Sequence, residues 1–324
     1  MAYDIQTWVK LAAFAGGGVA MGLGAIGAAI GEGYTAAQAN TAVSRNTGMS
    51  GDIFKSMLVG QAVAESASIF ALVIAILLLF IDISNATVLK AVSLFAGGLC
   101  MGFGAIGSGV GSGLPGGQAC LGMVRQPAMS GRLMTNMLIG SAVCQTPAIF
   151  AMVVSLILIF MDFGGAPLCP TWAALLGAGL SMGLASIGSG MGGGFAAGAS
   201  CEGIARQPDS VGNVTTTMLV GQAVAQTPAI FGLLISFVLM FKAYPESTAL
   251  SPAMALLAAG ISMGFGGIGP GIGNGLTAEG AVRWVARNMN YAGDLMRIML
   301  VGQAVSQSTA IYAMVISLVL IFVV

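Results

Sequence analysis

The stretch GQAVAESASIF, residues 60–70, sets a single carboxylate, Glu65, inside a run that is otherwise small or apolar. The same stretch returns as GSAVCQTPAIF from residue 140, GQAVAQTPAI from 221 and GQAVSQSTAIY from 302, with glutamine in place of the glutamate each time, at Gln145, Gln226 and Gln307. Laying these four positions over one another gives a repeat of 80 or 81 residues. The chain is therefore one unit written four times in tandem. With the same offsets a second acid, Glu32, maps onto Ser112, Gly193 and Asn274.

Composition fixes the solvent. Of 324 residues, 57% are hydrophobic and 7% charged, while glycine alone accounts for 50, too little charge to coat a water-soluble chain of this length. A hydrocarbon core about 30 Å thick takes about 20 apolar helical residues. Eight segments satisfy this, over residues 8–43, 53–80, 87–124, 133–161, 170–205, 213–241, 250–287 and 295–322. The runs are too long for barrel strands, so the expected fold is an all-α membrane protein of eight transmembrane helices arranged as four helical hairpins, 1–83, 84–164, 165–245 and 246–324. Each hairpin opens with a glycine-rich helix (GAIGAAIGEG, GAIGSGVGSG, ASIGSGMGGG, GGIGPGIGNG) and closes with an aliphatic one such as FALVIAILLLF. Glycine at that density lets helix backbones approach closely, since packing drives helix association in lipid. A phosphate-cradling loop is the competing reading of such glycines, but that loop follows a strand and meets water, whereas these lie within apolar helices.

The opening MAYDIQTWVK has an acid and no basic n-region, so the first helix is expected to be retained. Cys100, Cys120, Cys144, Cys169 and Cys201 show no CxxC spacing and read as small packing residues, and histidine is absent, which leaves little for zinc or imidazole chemistry. Neither a nucleophile set nor a nucleotide loop is present, so no catalysis by the chain alone and no cofactor or nucleic-acid partner is expected. Eight of the eleven basic residues, Arg45, Lys55, Arg125, Arg132, Arg206, Arg283, Arg287 and Arg297, flank the turns inside the hairpins. Lys10, Lys90 and Lys242 lie at the other side, a bias that puts the turns in the cytoplasm and both termini outside. Trp8 and Trp172 suit an outer interfacial belt and Trp284 an inner one.

Glu32 lies 15 residues before Thr47 and Glu65 18 after it. At about 1.5 Å per residue both sit roughly 22 to 27 Å from the turn and can face each other. An acid at that depth costs at least a few kcal/mol, and the default reading is a site for ions or protons. An amide has the shape of a protonated carboxyl and bridges helices as well, but it releases no proton and offers no full negative charge. Glutamine thus suffices for packing at three positions, and glutamate at the fourth implies something packing does not require.

A glycine-rich helix, a polar turn and an aliphatic helix with a mid-membrane carboxylate resemble the c subunit, or proteolipid, of F-type rotary ATP synthases. The resemblance rests on MVRQP at 123–127, IARQP at 204–208 and GQAVAES at 60–66, and it covers the chain four times over. It implies a homo-oligomeric ring of hairpins in the bilayer, glycine helices inside and carboxylate helices outside, turning against a membrane stator that carries an essential arginine. It also implies docking of the turns on central stalk subunits of the soluble ATPase head, through Arg45, Arg125, Gln126, Pro127, Arg206, Gln207, Pro208 and Arg287. Turns one and four read SRNTG and ARNMN in place of RQP. A bacterial plasma membrane is the expected location. The first hairpin is similar to the sodium-translocating branch, which implies a shell of Glu32, the carbonyl of Val63, Glu65 and Ser66, oxygens of the kind hard cations prefer, with Ser68 or another hairpin contributing. Glu32 stands where that branch has glutamine and Phe70 where it has tyrosine. Two neighbouring acids cannot both ionise cheaply here, so a coupled pair holding one proton is expected, with sodium favoured as cargo and the proton as the other choice.

In a ring made only of this chain, one ion crosses per four hairpins. ATP per turn is set by the head, so each ion is driven against a gradient about four times steeper than in an ordinary ring. One charge gains about 2.3 kcal/mol per 100 mV, which makes synthesis at ordinary potentials unfavourable and an ATP-driven pump the expected direction. A mixed ring with single-hairpin subunits, and a free-standing channel or structural ring, stay open at this point. Pro147 and Pro228, two residues past a glutamine, are expected to loosen their helices.

Overall fold

The computed structural model describes residues 4–82 and 86–323. Among these the expected hairpins are present. The first is α1 (Ile5–Arg45) and α2 (Ser50–Phe80), the second α3 (Val88–Arg125) and α4 (Ser130–Phe160). The third is α5 (Leu168–Arg206) followed by α6 (Val211–Ala225) and α7 (Thr227–Phe241), and the fourth α8 (Leu250–Arg287) and α9 (Ala292–Val323). Taking α6 and α7 as one run, eight helices are long and apolar enough to cross a membrane among the described residues.

The four turns share one construction. Each glycine helix ends in arginine (Arg45, Arg125, Arg206, Arg287), where a positive charge meets the negative end of the helix dipole. One residue with extended backbone follows, Asn46, Gln126, Gln207 or Asn288, then a single 3-10 turn into the next helix. Proline opens that turn at Pro127 and Pro208, where its missing N–H costs nothing. Repeat one lacks the proline and instead uses the Asn46 side chain, which accepts a hydrogen bond from the Gly48 amide at 3.1 Å.

The glycine helices stand in a row, α1 on α3, α3 on α5 and α5 on α8. Their contacts are backbone on backbone. A Cβ at Gly27, Gly107 or Gly188 would overlap the carbonyl of Ile106, Ile187 or Ile268 on the next helix. Gly98, Gly179 and Gly260 likewise abut the carbonyls of Gly16, Ala96 and Gly177. Each aliphatic helix lies in the groove between its own glycine helix and the next one: α2 on α1 and α3, α4 on α3 and α5, α6 and α7 on α5 and α8. The last, α9, rests on α8, with no further glycine helix beside it among the described residues. The row is thus open, with α1 and α8 at its ends.

Prolines 147 and 228 have different outcomes. α4 runs through Pro147, whereas the third hairpin's outer helix breaks at Gln226. In both, a serine on the glycine helix accepts from the amide that follows the proline: Ala148 N–H donates to Ser108 Oγ and Ala229 N–H to Ser189 Oγ, each at 3.2 Å, the latter amide also reaching the Gln226 carbonyl at 3.1 Å. The equivalent positions in repeats one and four are Ala28 and Pro270, where no proline follows the key glutamate or glutamine. The loosening expected at these prolines is therefore compensated by a side chain from the neighbouring helix. Cys100, Cys120, Cys144 and Cys201 are buried, and all five cysteines are free thiols.

Candidate ion-binding site

The three equivalents of position 65 lie where an outer helix faces the carbonyl of a valine on the preceding outer helix. At the junction of hairpins one and two, the Gln145 amide donates from Nε2 to the Val63 carbonyl at 2.8 Å and to Ser112 Oγ at 2.7 Å. Between two and three, Gln226 Nε2 donates to the Val143 carbonyl at 3.4 Å and fills the space left by Gly193, where a Cβ would stand 3.4 Å from that nitrogen. Between three and four the roles rotate by one: Asn274 Nδ2 donates to the Val224 carbonyl at 3.4 Å and to Gln307 Oε1 at 2.7 Å. The three junctions are closed by neutral amides. Gln145, Gln226 and Gln307 retain only 6%, 6% and 9% of their exposure.

One residue beyond the key position in repeats one, three and four, a hydroxyl turns back on the valine carbonyl of its own helix. Ser66 Oγ donates to Val63 O at 2.6 Å, Thr227 to Val224 at 2.7 Å and Ser308 to Val305 at 2.7 Å. The Val63 carbonyl, expected around Glu65, is thus met by the Gln145 amide of the second hairpin, and the Ser66 hydroxyl bonds to that same carbonyl. Ser68 Oγ donates to the Glu65 carbonyl at 2.8 Å rather than toward the carboxylate.

Glu65 differs from its three equivalents. Its side chain is exposed on the open side of hairpin one, and among the described residues no hydrogen-bond donor reaches its carboxylate. Glu32, on α1, is half-buried and close enough that the two charges interact. The Gln61 amide ties the helices together here by donating to the Glu32 carbonyl at 3.3 Å. Acids nearer the turns are paired instead: Glu202 bridges Arg206 and Arg283, and Glu279 meets Arg283 at 2.7 Å.

A second set of amides went unread in the sequence. Gln222 Nε2 donates to the Gly193 carbonyl of its own hairpin and to Gly140 of the preceding one at 3.0 and 2.9 Å. Gln303 does the same to Asn274 and Gly221, both at 3.0 Å. Their signal was available, since a polar side chain recurs at this register in every repeat as Gln61, Ser141, Gln222 and Gln303.

Tandem membrane hairpins with amide-closed junctions and one acid pair at mid-depth define a membrane protein of the ion-carrying kind. The model of the ATP synthase C-subunit family matches residues 15–78, 95–158, 176–239 and 257–320, so the chain belongs to that family four times over. It is similar to the A-type ATP synthase subunit K of Methanocaldococcus jannaschii, 32% identical over 196 residues, 60% of this chain and 82% of that one. Over 69 residues, 21% of this chain, it is 51% identical to the ATP synthase c subunit of Natranaerobius thermophilus, and 48% to that of Alkaliphilus oremlandii, spanning 79% and 77% of those proteins. The chain is a non-catalytic, ion-translocating rotor component of a rotary ATP synthase.

Proposed function

We propose that this rotor protein serves an ATP-driven pump and carries one sodium ion per four hairpins, bound at Glu65 with Glu32. The observation that carries this reading is the contrast at one register: three buried neutral amides hydrogen-bonded within the chain, and one exposed carboxylate beside a second. A side chain needed only for packing would be glutamine here as elsewhere. Oxygen donors predominate, from the two carboxylates to carbonyls and hydroxyls of the Val63 and Ser66 type, as a hard cation requires. Within this reading Glu32 and Glu65 act as one unit, sharing a proton when the ion leaves.

The direction follows from the count of acids. A ring that moves one quarter of the usual number of ions per turn concentrates each ATP on fewer charges. The turn arginines Arg45, Arg125, Arg206 and Arg287 are exposed, available to a stalk and consistent with turns on the cytoplasmic side. A stator arginine opposite Glu65 would displace the ion from the acid.

The test is carbodiimide labelling of the purified ring, with and without sodium at fixed pH, read by mass spectrometry. One adduct per chain at Glu65, suppressed by sodium, is the expected result. An adduct indifferent to sodium would make the cargo a proton, and no adduct would remove Glu65 from ion carriage. ATP synthesis by the reconstituted enzyme at an ordinary ion-motive force would overturn the pump direction.

A further inference from the structure

Both ends of the hairpin row have room for a neighbour. At α8, a Cβ at Gly269 would meet nothing, although its equivalents Gly27, Gly107 and Gly188 are pressed against the next helix. At α1, Gly18 and Gly33 are equally uncovered, although their counterparts Gly98 and Gly113 abut carbonyls of the preceding helix. Such backbone packing would accept any glycine-rich hairpin. The outer helices near the turns are more selective. At the junction of hairpins two and three, Arg132, Thr135 and Asn136 of α4 line a groove with Val211, Gly212 and Thr215 of α6, and the Thr215 hydroxyl donates to Asn136 Oδ1 at 2.8 Å. Carried to the open ends by the repeat, the same pattern sets Asp294, Arg297 and Ile298 of α9 against Ser50, Gly51 and Phe54 of α2. With Asn40 and Val43 of α1, those α2 residues line a groove of about 480 Å³.

We propose that this groove near the turn is a docking surface selective for a second copy of this chain, with Ile298 of one copy seated on Phe54 of the next and Arg297 paired with Asp52. The residues at the register of Ile298 are Ser56, Asn136 and Thr217, all polar and all buried at internal junctions. Ile298 is 68% exposed, and Phe54, opposite it by the repeat, 56%. The internal pairs at this register are Ser56 with Met134, Asn136 with Thr215 and Thr217 with Met296, so each contains a polar group. Ile298 with Phe54 joins two large apolar side chains instead, the composition of a buried interface centre.

Charge divides the junctions in the same way. One residue earlier on the outer helix, the pairs by register are Lys55 with Arg132, Thr135 with Asn213 and Thr216 with Asp294 inside the chain, and Arg297 with Asp52 between its ends. The last of these is the one pair of opposite sign. Tyr291 stands where the first hairpin has Met49, which packs on the apolar cluster of the hairpins that follow, so its ring is placed to fill the mouth of the groove. Opposite charges across a head-to-tail contact favour another copy and disfavour a neighbour without them, and a contact of this kind closes into a ring. The ring then repeats in whole units of four hairpins, with no single-hairpin subunit between them, whichever ion it carries.

Charge reversal tests the pair. The full chain is purified in detergent and the ratio of rings to single chains read by native mass spectrometry. Asp52→Arg and Arg297→Asp should each lower that ratio roughly tenfold by setting like charges together at every seam. Both changes in one chain should restore it, and since the two residues lie at opposite ends of the row, rescue acts only between copies. Ile298→Asn should likewise lower the ratio, and adding Phe54→Thr, which copies the pair at the junction of hairpins two and three, should recover it. Because all four side chains are exposed in the single chain, its own thermal unfolding should stay unchanged. Single variants that form rings as the wild type does, or double variants no better than the weaker single one, would overturn the proposal. So would a single-hairpin polypeptide found in the purified wild-type ring.

Discussion

At the scale of single residues, the contrast between Glu65 and its three amide equivalents makes the sharpest predictions. Glu65→Gln keeps the side-chain shape that three other positions tolerate, so rings should assemble normally while ATP-driven ion uptake into proteoliposomes falls to background. The reverse exchange, Gln145→Glu, removes the nitrogen that donates to Val63 and Ser112 and sets a carboxylate oxygen against the Val63 carbonyl. It should cost a few kcal/mol of ring stability with the acid ionised, because a buried charge loses its partners, and much less with the acid protonated. Mass spectrometry should then find two reactive carboxyls per chain. The identity of these residues was plain in the sequence, since an acid among amides at a fixed register stands out. Their partners were not. The resemblance implied the Val63 carbonyl and Ser66 hydroxyl around Glu65; that the Val63 carbonyl also receives the Gln145 amide was hidden, because contacts between neighbouring helices relate residues about 82 apart.

At the scale of elements, proline and serine act as a pair across helices. Ser108→Ala should destabilise the second hairpin by about 1 to 3 kcal/mol, the usual cost of an orphaned buried amide. Pro147→Ala restores the helix's own bond partner, so the double variant should recover most of that loss, and a thermal or detergent unfolding cycle over the four proteins measures the coupling. The glycine helices yield a second expectation. Gly107→Val drives a side chain into the Ile187 carbonyl and should prevent correct packing of α3 on α5. Helix existence and hairpin pairing were legible from hydropathy and repetition, and the observed helices lie within a few residues of the segments read from the chain. Which glycines touch which carbonyls was not legible, because every glycine looks alike until a neighbouring backbone is placed beside it. The break at Gln226, present in the third hairpin and absent in the second despite the same Gln-Thr-Pro sequence, has no physical account in the contacts around it.

At the scale of the whole molecule, the number of acids per hairpin decides what the rotor can do. The ion-to-ATP ratio measured on the reconstituted complex should be about a quarter of that of a ring of equal hairpin number with an acid on every hairpin. The sequence alone reached this arithmetic, since it needs only the count of Glu65 against Gln145, Gln226 and Gln307. What it could not reach is where along the ring the acids fall, which depends on an open row with complementary ends. That spacing bears on motion. Between one carboxylate and the next, three amide junctions would have to pass the stator with no charge to attract its arginine. In a pump, the load from the membrane side would then arrive in widely separated pulses, with most of each stride electrically silent. A machine geared in this way needs a compliant shaft, one that winds up while an acid is forced past the stator and releases its twist as the silent hairpins go by.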